Sequence, residues 1–368
     1  MDSYKIGYFE AISILIIVTL SHILLNVPKI LLEETGSSAG LNVIYVTLLT
    51  LIFISIVIKL FKNFTGKDIL DISKYALGSF FQKVIGLIFI LYILFIASTL
   101  LRNLAENLKI IYFQDVSITN ILFIFLISIT FINLLNPRTV IKCNSIIVPL
   151  ILIIITILSL SNSNNYVVQR FFPLLGYGAK ETFLYGSTNI FLFGNIIYLY
   201  FLMPMLKDIK DFKKIAYSSI IISGVFVFIS IVSILLIFPF ILSTQGSMPI
   251  YLESRQIALG KFIQRADAFF LLIWIITILS YLSIALHFVI KIFKKVTNIQ
   301  DSKPTVYCFS GLIFSIALLP RNLIEIKFLE SSIYKYFNLS LVFGVSLIIL
   351  IIANIKKRKQ KKYNIQGE

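Results

Sequence analysis

The stretch Thr19–Leu32, TLSHILLNVPKILL, decides how this chain is read. It lies inside the first long apolar run, where a smooth membrane helix is expected, yet it carries Ser21, His22, Asn26, Pro28 and Lys29. Pro28 has no N–H, and its ring crowds the carbonyl four residues back, near Leu24. Val27, the residue before it, is pushed out of the helical region. Backbone groups freed at bilayer depth must be covered by protein or face a wet cavity. The stretch therefore reads in two ways. It is either a proline-kinked helix packed in a bundle, or a helix broken where polar groups hold a small molecule, as in secondary transporters.

Working outward, the composition sets the class. Of 368 residues, 58% are hydrophobic and 14% charged. A soluble domain cannot hide that much apolar surface. The expectation is an all-α membrane protein with one integral domain over residues 1–355 and a short basic tail over 356–368. The first apolar run has no small-residue cleavage site and continues past Pro28, so it reads as a retained helix. A net charge of +16 would suggest nucleic acid in a soluble protein. Here it follows from Lys and Arg gathering in cytoplasmic loops, and no nucleic-acid motif is present. Cys143 and Cys308, far apart, give no disulfide framework. Walker, HExxH, GxSxG and paired-Cys motifs are all missing. With two histidines in the chain, neither an enzyme nor a metal or cofactor is expected.

About ten membrane segments fit, allowing roughly twenty residues each for a bilayer core of about 30 Å. Their centres fall near 8–32, 41–60, 83–104, 119–135, 140–161, 183–206, 214–242, 266–293, 303–320 and 334–355. With the N-terminus inside, the inner segments carry most of the 33 basic residues, from Lys59–Lys83 through Lys207–Lys214 and Lys291–Lys303 to the run Lys356–Lys362. Both ends are predicted to be cytoplasmic. Residues 64–79 are too polar to span. Ile69, Ile72 and Ala76 share one helical face there, which fits a helix lying in the interface or a plain connecting helix.

The sixth segment repeats the feature of the first. FLFGNIIYLYFLMP places Gly194 and Asn195 mid-run, with Pro204 near the inner end. Five crossings separate the two interruptions, and an odd number inverts the second half. Two five-helix halves related by a two-fold axis in the membrane plane are expected.

The chain resembles the B subunit of the endospore germinant receptors, within the amino acid–polyamine–organocation transporter superfamily. The resemblance rests on NVPKIL at Asn26–Leu31, ASTLLRNLAE at Ala97–Glu106, FFPLLGYG at Phe171–Gly178, FLFGN at Phe191–Asn195 and RADAFFLLIWII at Arg265–Ile276, in that order. It implies a five-plus-five inverted-repeat transporter fold with helices 1 and 6 broken. It implies residence in the inner membrane of the spore, beside A and C subunits, and recognition of a small nutrient such as an amino acid. Secondary transport of amino acids or polyamines is the alternative activity it implies. One departure stands out. Transporters of the superfamily often have a glycine-rich break in helix 1, and here that position reads Ser21-His22-Ile23. Capture of a carboxylate by bare backbone is thereby put in doubt, and a site with more side-chain character is indicated.

The carboxylate of an amino acid favours exposed N–H groups at a half-helix N-terminus, where the dipole is positive. Its ammonium needs carbonyls, hydroxyls or an aromatic face. The two breaks nominate Ser21, His22, Leu25, Asn26, Phe193, Gly194 and Asn195 as ligand-binding residues. His22 can donate at one nitrogen and accept at the other, or it can be bonded to a neighbouring helix. Asn195 reads equally as a ligand contact or as glue between helices. Trp274, Thr277 and Tyr281 form one stripe of the eighth segment, which lines the central cavity in the fold the resemblance implies. Tyr92 and Thr99 form a weaker stripe on the third. Both stripes also read as ordinary packing. Arg102 and Glu106, four apart, are placed to pair.

Overall fold

The computed structural model describes residues 5–23, 27–135, 137–239, 248–257, 267–299 and 303–366. The described chain is helical, and its strand-like pairing is one isolated parallel bridge between Ile6 and Leu206. It is an all-α membrane protein, as the composition predicts.

Helix α1 (Tyr8–Ile23) and helix α2 (Val27–Thr35) flank residues 24–26, so the expected break in the first run lies outside the described residues. Pro28 sits in the first turn of α2, where its missing N–H costs no helical hydrogen bond. Helix α3 (Ala39–Phe61) follows after a tight turn at Gly36–Ser38. Next comes α4 (Ile69–Leu77), whose limits are written in its ends. The Asp68 carboxylate accepts from the N–H groups of Leu70 and Asp71 at 3.1 and 3.0 Å, and Asp71 accepts from the Asp68 N–H at 3.3 Å. This reciprocal cap starts the helix, and Gly78, at φ 97°, ends it. Ile69, Leu70, Ile72, Ser73 and Ala76 are buried, so the apolar face read from the sequence is the packed one.

The long helix α5 (Ser79–Ile111), then α6 (Ile118–Leu134) and α7 (Pro137–Ser161) complete the first half. The second half opens with α8 (Tyr185–Tyr198), which is wound more tightly than an α-helix and departs from helical geometry at Phe193, with φ −98° and ψ 18°. The run is bent by 49° between Lys180–Gly194 and Ile196–Met205. Helices α9 (Asp211–Ile237), α10 (Pro249–Arg255), α11 (Asp267–Thr297), α12 (Lys303–Ala317) and α13 (Leu323–Gln360) follow. Two π-helical stretches, Leu329–Tyr334 and Leu339–Val345, interrupt the regular winding of α13.

Helices α5 and α11 pack against each other in the middle. Helix α1 lies against α7, α8, α9 and α11, and α13 contacts α3, α4 and α8. The start of α1 is tied directly to the far end of the bent run. The Ile6 N–H donates to Met205 O at 2.8 Å, the Lys207 N–H to Ile6 O at 2.9 Å, and Lys5 Nζ to Pro204 O at 2.9 Å.

Among the described residues, six helical runs are long and apolar enough to cross a membrane, and the bent pair makes a seventh. The difference from ten expected spans has a physical origin. Helices α6 and α12 are 17 and 15 residues long, and α1 is described over 16. Two of the expected segments are thus apolar helices shorter than the roughly twenty residues that a bilayer core needs, and the first borders residues outside the described ones.

Candidate functional site

The interrupted runs meet α11 and α13 at an aromatic centre. His22, on the last turn of α1, lies against two tyrosines. Its ring is stacked on Tyr334 of α13, with centroids 5.4 Å apart and planes at 12°. Tyr281 of α11 meets it edge-on at 5.3 Å and 75°. Phe191 of α8 meets the other side of Tyr334, edge-on at 5.8 Å. Each ring comes from a different helix, so the contacts knit α1, α8, α11 and α13 together.

Hydroxyl and amide groups fill the space beside these rings. The hydroxyls of Tyr198 and Tyr281 are hydrogen-bonded to each other. Tyr92 of α5 and Tyr334 both turn their hydroxyls toward the Asn338 side chain. Asn338 Nδ2 donates to the Phe191 carbonyl at 3.2 Å, inside the bend of α8. Gly194 is required at that point, because a Cβ there would collide with the Asn338 amide. A close approach of this kind is a standard use of glycine. It lets α13 reach the backbone of the bent helix.

Three polar atoms in this centre are buried and make no hydrogen bond of strict geometry: His22 Nε2, Tyr92 Oη and Asn338 Oδ1. An unmet buried donor or acceptor costs about 1–3 kcal/mol. Tyr92 Oη and Asn338 Oδ1 face each other, and His22 Nε2 is left without a partner, so the centre is suited to a polar guest. Tyrosine faces suit a cation, and the orphaned atoms offer donors and acceptors.

A charged tier borders the aromatic centre. Lys335 Nζ, beside Tyr334 in sequence, donates to both Glu34 carboxylate oxygens at 2.7 and 2.8 Å and to Asn189 Oδ1 at 3.2 Å. It also sits 5.6 Å from the centroid of the Phe191 ring. Asn189 in turn donates to Asn42 Oδ1 at 3.1 Å, and Asn42 to the carbonyls of Thr182 and Gly186. On α5, Asn103 donates to Glu330 at 2.7 Å. Arg102 pairs with Glu106 at 2.8 Å, as their spacing predicts, and also donates to Ala317 O. Along FFPLLGYG, Ser37 Oγ donates to Pro173 O, and Ser38 Oγ meets the Thr182 hydroxyl. This ties the loop to the turn between α2 and α3.

The nominated residues divide accordingly. His22 and Tyr281 touch, Tyr92 faces the same centre, and Gly194 forms its floor. Phe193 instead lines a narrow cleft with Leu15, Thr19, Ile196 and Ser219, which has room for about one water. Three hydroxyls are spent within their own helices: Ser21 on Val18 O, Thr99 on Phe95 O, and Thr277 on Ile273 O. Trp274 is buried and stacks on Phe270 at 6.3 Å. Leu25, Asn26 and the side chain of Asn195 lie outside the described residues. Tyr198, Tyr334, Lys335, Asn338 and Glu34 are not among the residues nominated from the sequence. The available signal was the run Tyr334, Lys335 and Asn338, which falls within about one helical turn.

The fold and its centre define a multi-pass membrane protein with a polar, aromatic-walled heart where α1 meets the bent α8. The chain belongs to the spore germination protein family, which it matches over residues 5–326. It is similar to spore germination protein KB of Bacillus subtilis (strain 168), with 20% identity over 317 residues, covering 82% of each chain. Family membership supports a germinant-receptor-related role.

Proposed function

We infer that this chain is the nutrient-sensing subunit of a spore germinant receptor and binds a small nutrient, an amino acid, between α1, α8, α11 and α13. The observation that carries this reading is the His22–Tyr334–Tyr281 contact with orphaned atoms beside it. A zwitterion's ammonium would lie against the tyrosine faces, and its other polar atoms would meet Tyr92 Oη, His22 Nε2 and Asn338 Oδ1. The chain acts without catalysis and without a cofactor. It sits in the inner membrane of the spore as one integral domain, residues 1–355, with the tail 356–368 on the cytoplasmic side. Ten crossings in two inverted halves are the arrangement we favour, with α1–α2 and α8 as the two broken helices and α4 in the cytoplasmic interface. A and C subunits are the partners that would receive the signal.

A ligand shifts a two-state protein only by its differential affinity for the two states. A preference of about 100-fold for the active state supplies roughly 2.7 kcal/mol, within the usual range of allosteric coupling. The bend at Phe193 is the place where such a shift would be absorbed. The test is germination in response to a panel of amino acids, with the gene deleted and then restored as wild type or as His22→Ala. Restoration by wild type and a higher half-response concentration for the variant are expected. Deletion with no effect on any amino acid response sinks the reading.

A further inference from the structure

Lys335 is held in an unusual setting for a lysine. Its side chain is 7% exposed, while its partner Glu34 is 34% exposed. Buried ammonium groups require a paired charge, and both oxygens of Glu34 supply it from α2. The amine is also joined to the aromatic centre. Phe191 carries Lys335 Nζ at 5.6 Å and Tyr334 at 5.8 Å, and Tyr334 stacks on His22. One ring thus spans the distance between a positive charge and the proposed ammonium-binding faces. The match to the family ends at residue 326, short of this wall of α13.

We propose that Lys335 is the carboxylate-binding residue of the nutrient site and that Glu34 is a built-in carboxylate that the ligand's own carboxylate displaces. The inference rests on the nutrient-binding reading and adds a ligand class to it: small amino acids with a free carboxylate. It also supplies what Ser21-His22-Ile23 lacks. Without a glycine-rich break to present bare N–H groups, a side-chain cation takes the anion. Glu34 is the more exposed partner and can turn toward solvent, so its release leaves no buried charge unpaired once the ligand carboxylate is in place. Asn189 Oδ1, 3.2 Å from the amine, stays as a positioning contact in both states. Displacement breaks the ion pair between α2 and α13. Binding energy is thereby linked to movement of the outer half of the first run.

The experiment measures binding to the full chain in lipid nanodiscs. The probes are the proteinogenic amino acids and the carboxamide of whichever binds best. Wild type is expected to prefer the acid over the amide. Lys335→Gln should cut that preference roughly ten- to a hundredfold by weakening the acid alone, and Lys335→Arg should keep it. Glu34→Gln should tighten the acid, because no internal competitor remains. The acid-to-amide ratio is internal to each variant, so a loss of folded protein does not mimic the effect. An unchanged ratio in Lys335→Gln overturns the inference and leaves the nutrient reading standing. Weaker binding of the acid by Glu34→Gln also overturns it, since Glu34 would then belong to the ligand's ammonium. Failure of every amino acid to bind wild type overturns the nutrient reading, and this inference with it.

Discussion

His22 of α1 lies nearly parallel to Tyr334 of α13, with 5.4 Å between centroids and 12° between planes, although the two are more than three hundred residues apart. The stack can be separated from the ring's hydrogen-bonding capacity. His22→Phe keeps an aromatic face and removes Nε2. It should raise the half-response concentration roughly ten- to a hundredfold, the cost of one hydrogen bond to a charged group. Stacking itself is worth about 0.5–1.5 kcal/mol, so His22→Ala should be worse still. Dose–response curves at matched protein levels check the order. Equal responses for wild type and His22→Phe would assign the histidine to packing.

Gly194→Ala should destabilise the protein, because the new methyl meets the Asn338 amide. Overpacking of this kind costs about 1–3 kcal/mol. Thermal unfolding in detergent reads the loss. Asn338→Ala in the same chain clears the space and should return most of it. A Gly194→Ala protein as stable as wild type would show that α8 and α13 can separate there without cost.

Glu253 sits in α10, outside the membrane-crossing runs, and burial raises its carboxyl from 4.5 to about 7. The Ser233 hydroxyl donates to its Oε1, and Asn162 Nδ2 donates to its backbone carbonyl at 3.1 Å. The sign follows from linkage. The folded state holds the proton more tightly than the unfolded state, so stability is greatest below about 4.5 and falls as pH rises through the interval up to about 7. The total change is on the order of 3 kcal/mol. Melting temperatures at pH 5.5 and 8 should differ accordingly in wild type. The difference should shrink in Glu253→Gln, which keeps the shape and cannot ionise.

The cytoplasmic placement of the tail is checked by labelling. After Cys143 and Cys308, both exposed, are changed to serine, Lys359→Cys should be shielded from an impermeant thiol reagent in intact cells. It should react once the membrane is opened. Reaction in intact cells, with a cysteine at Tyr177 in the FFPLLGYG loop protected, would invert the topology.

Much of this architecture was legible in the linear chain because it depends on short-range rules. Pro28 takes its place in the first turn of α2 whatever packs against it. Asp68 and Asp71 cap α4 through their own backbone, and Arg102 and Glu106 meet because four residues make about one helical turn. The apolar content alone dictates membrane helices. The choice between kink and site at Ser21–His22 was of another kind, since it turned on what stands opposite. Ser21 spends its hydroxyl on Val18 O, one turn back, while His22 faces rings from α11 and α13. No local pattern in TLSHILLNVPKILL separates those two outcomes.

The amino-acid sequence by itself determined the membrane class, the bend near Gly194, and the pairing of charges within a helical turn. These follow from transfer free energy and backbone sterics, which act on residues close together in the chain. Only the tertiary structure decided that Tyr334, Lys335 and Asn338 wall the centre, that Glu34 answers Lys335, and that Gly194 makes room for Asn338. Those contacts join residues about 145 to 310 positions apart. They exist because packing the helices sets the faces of α13 against the two interrupted runs, and nothing in the local order of residues specifies which faces will meet.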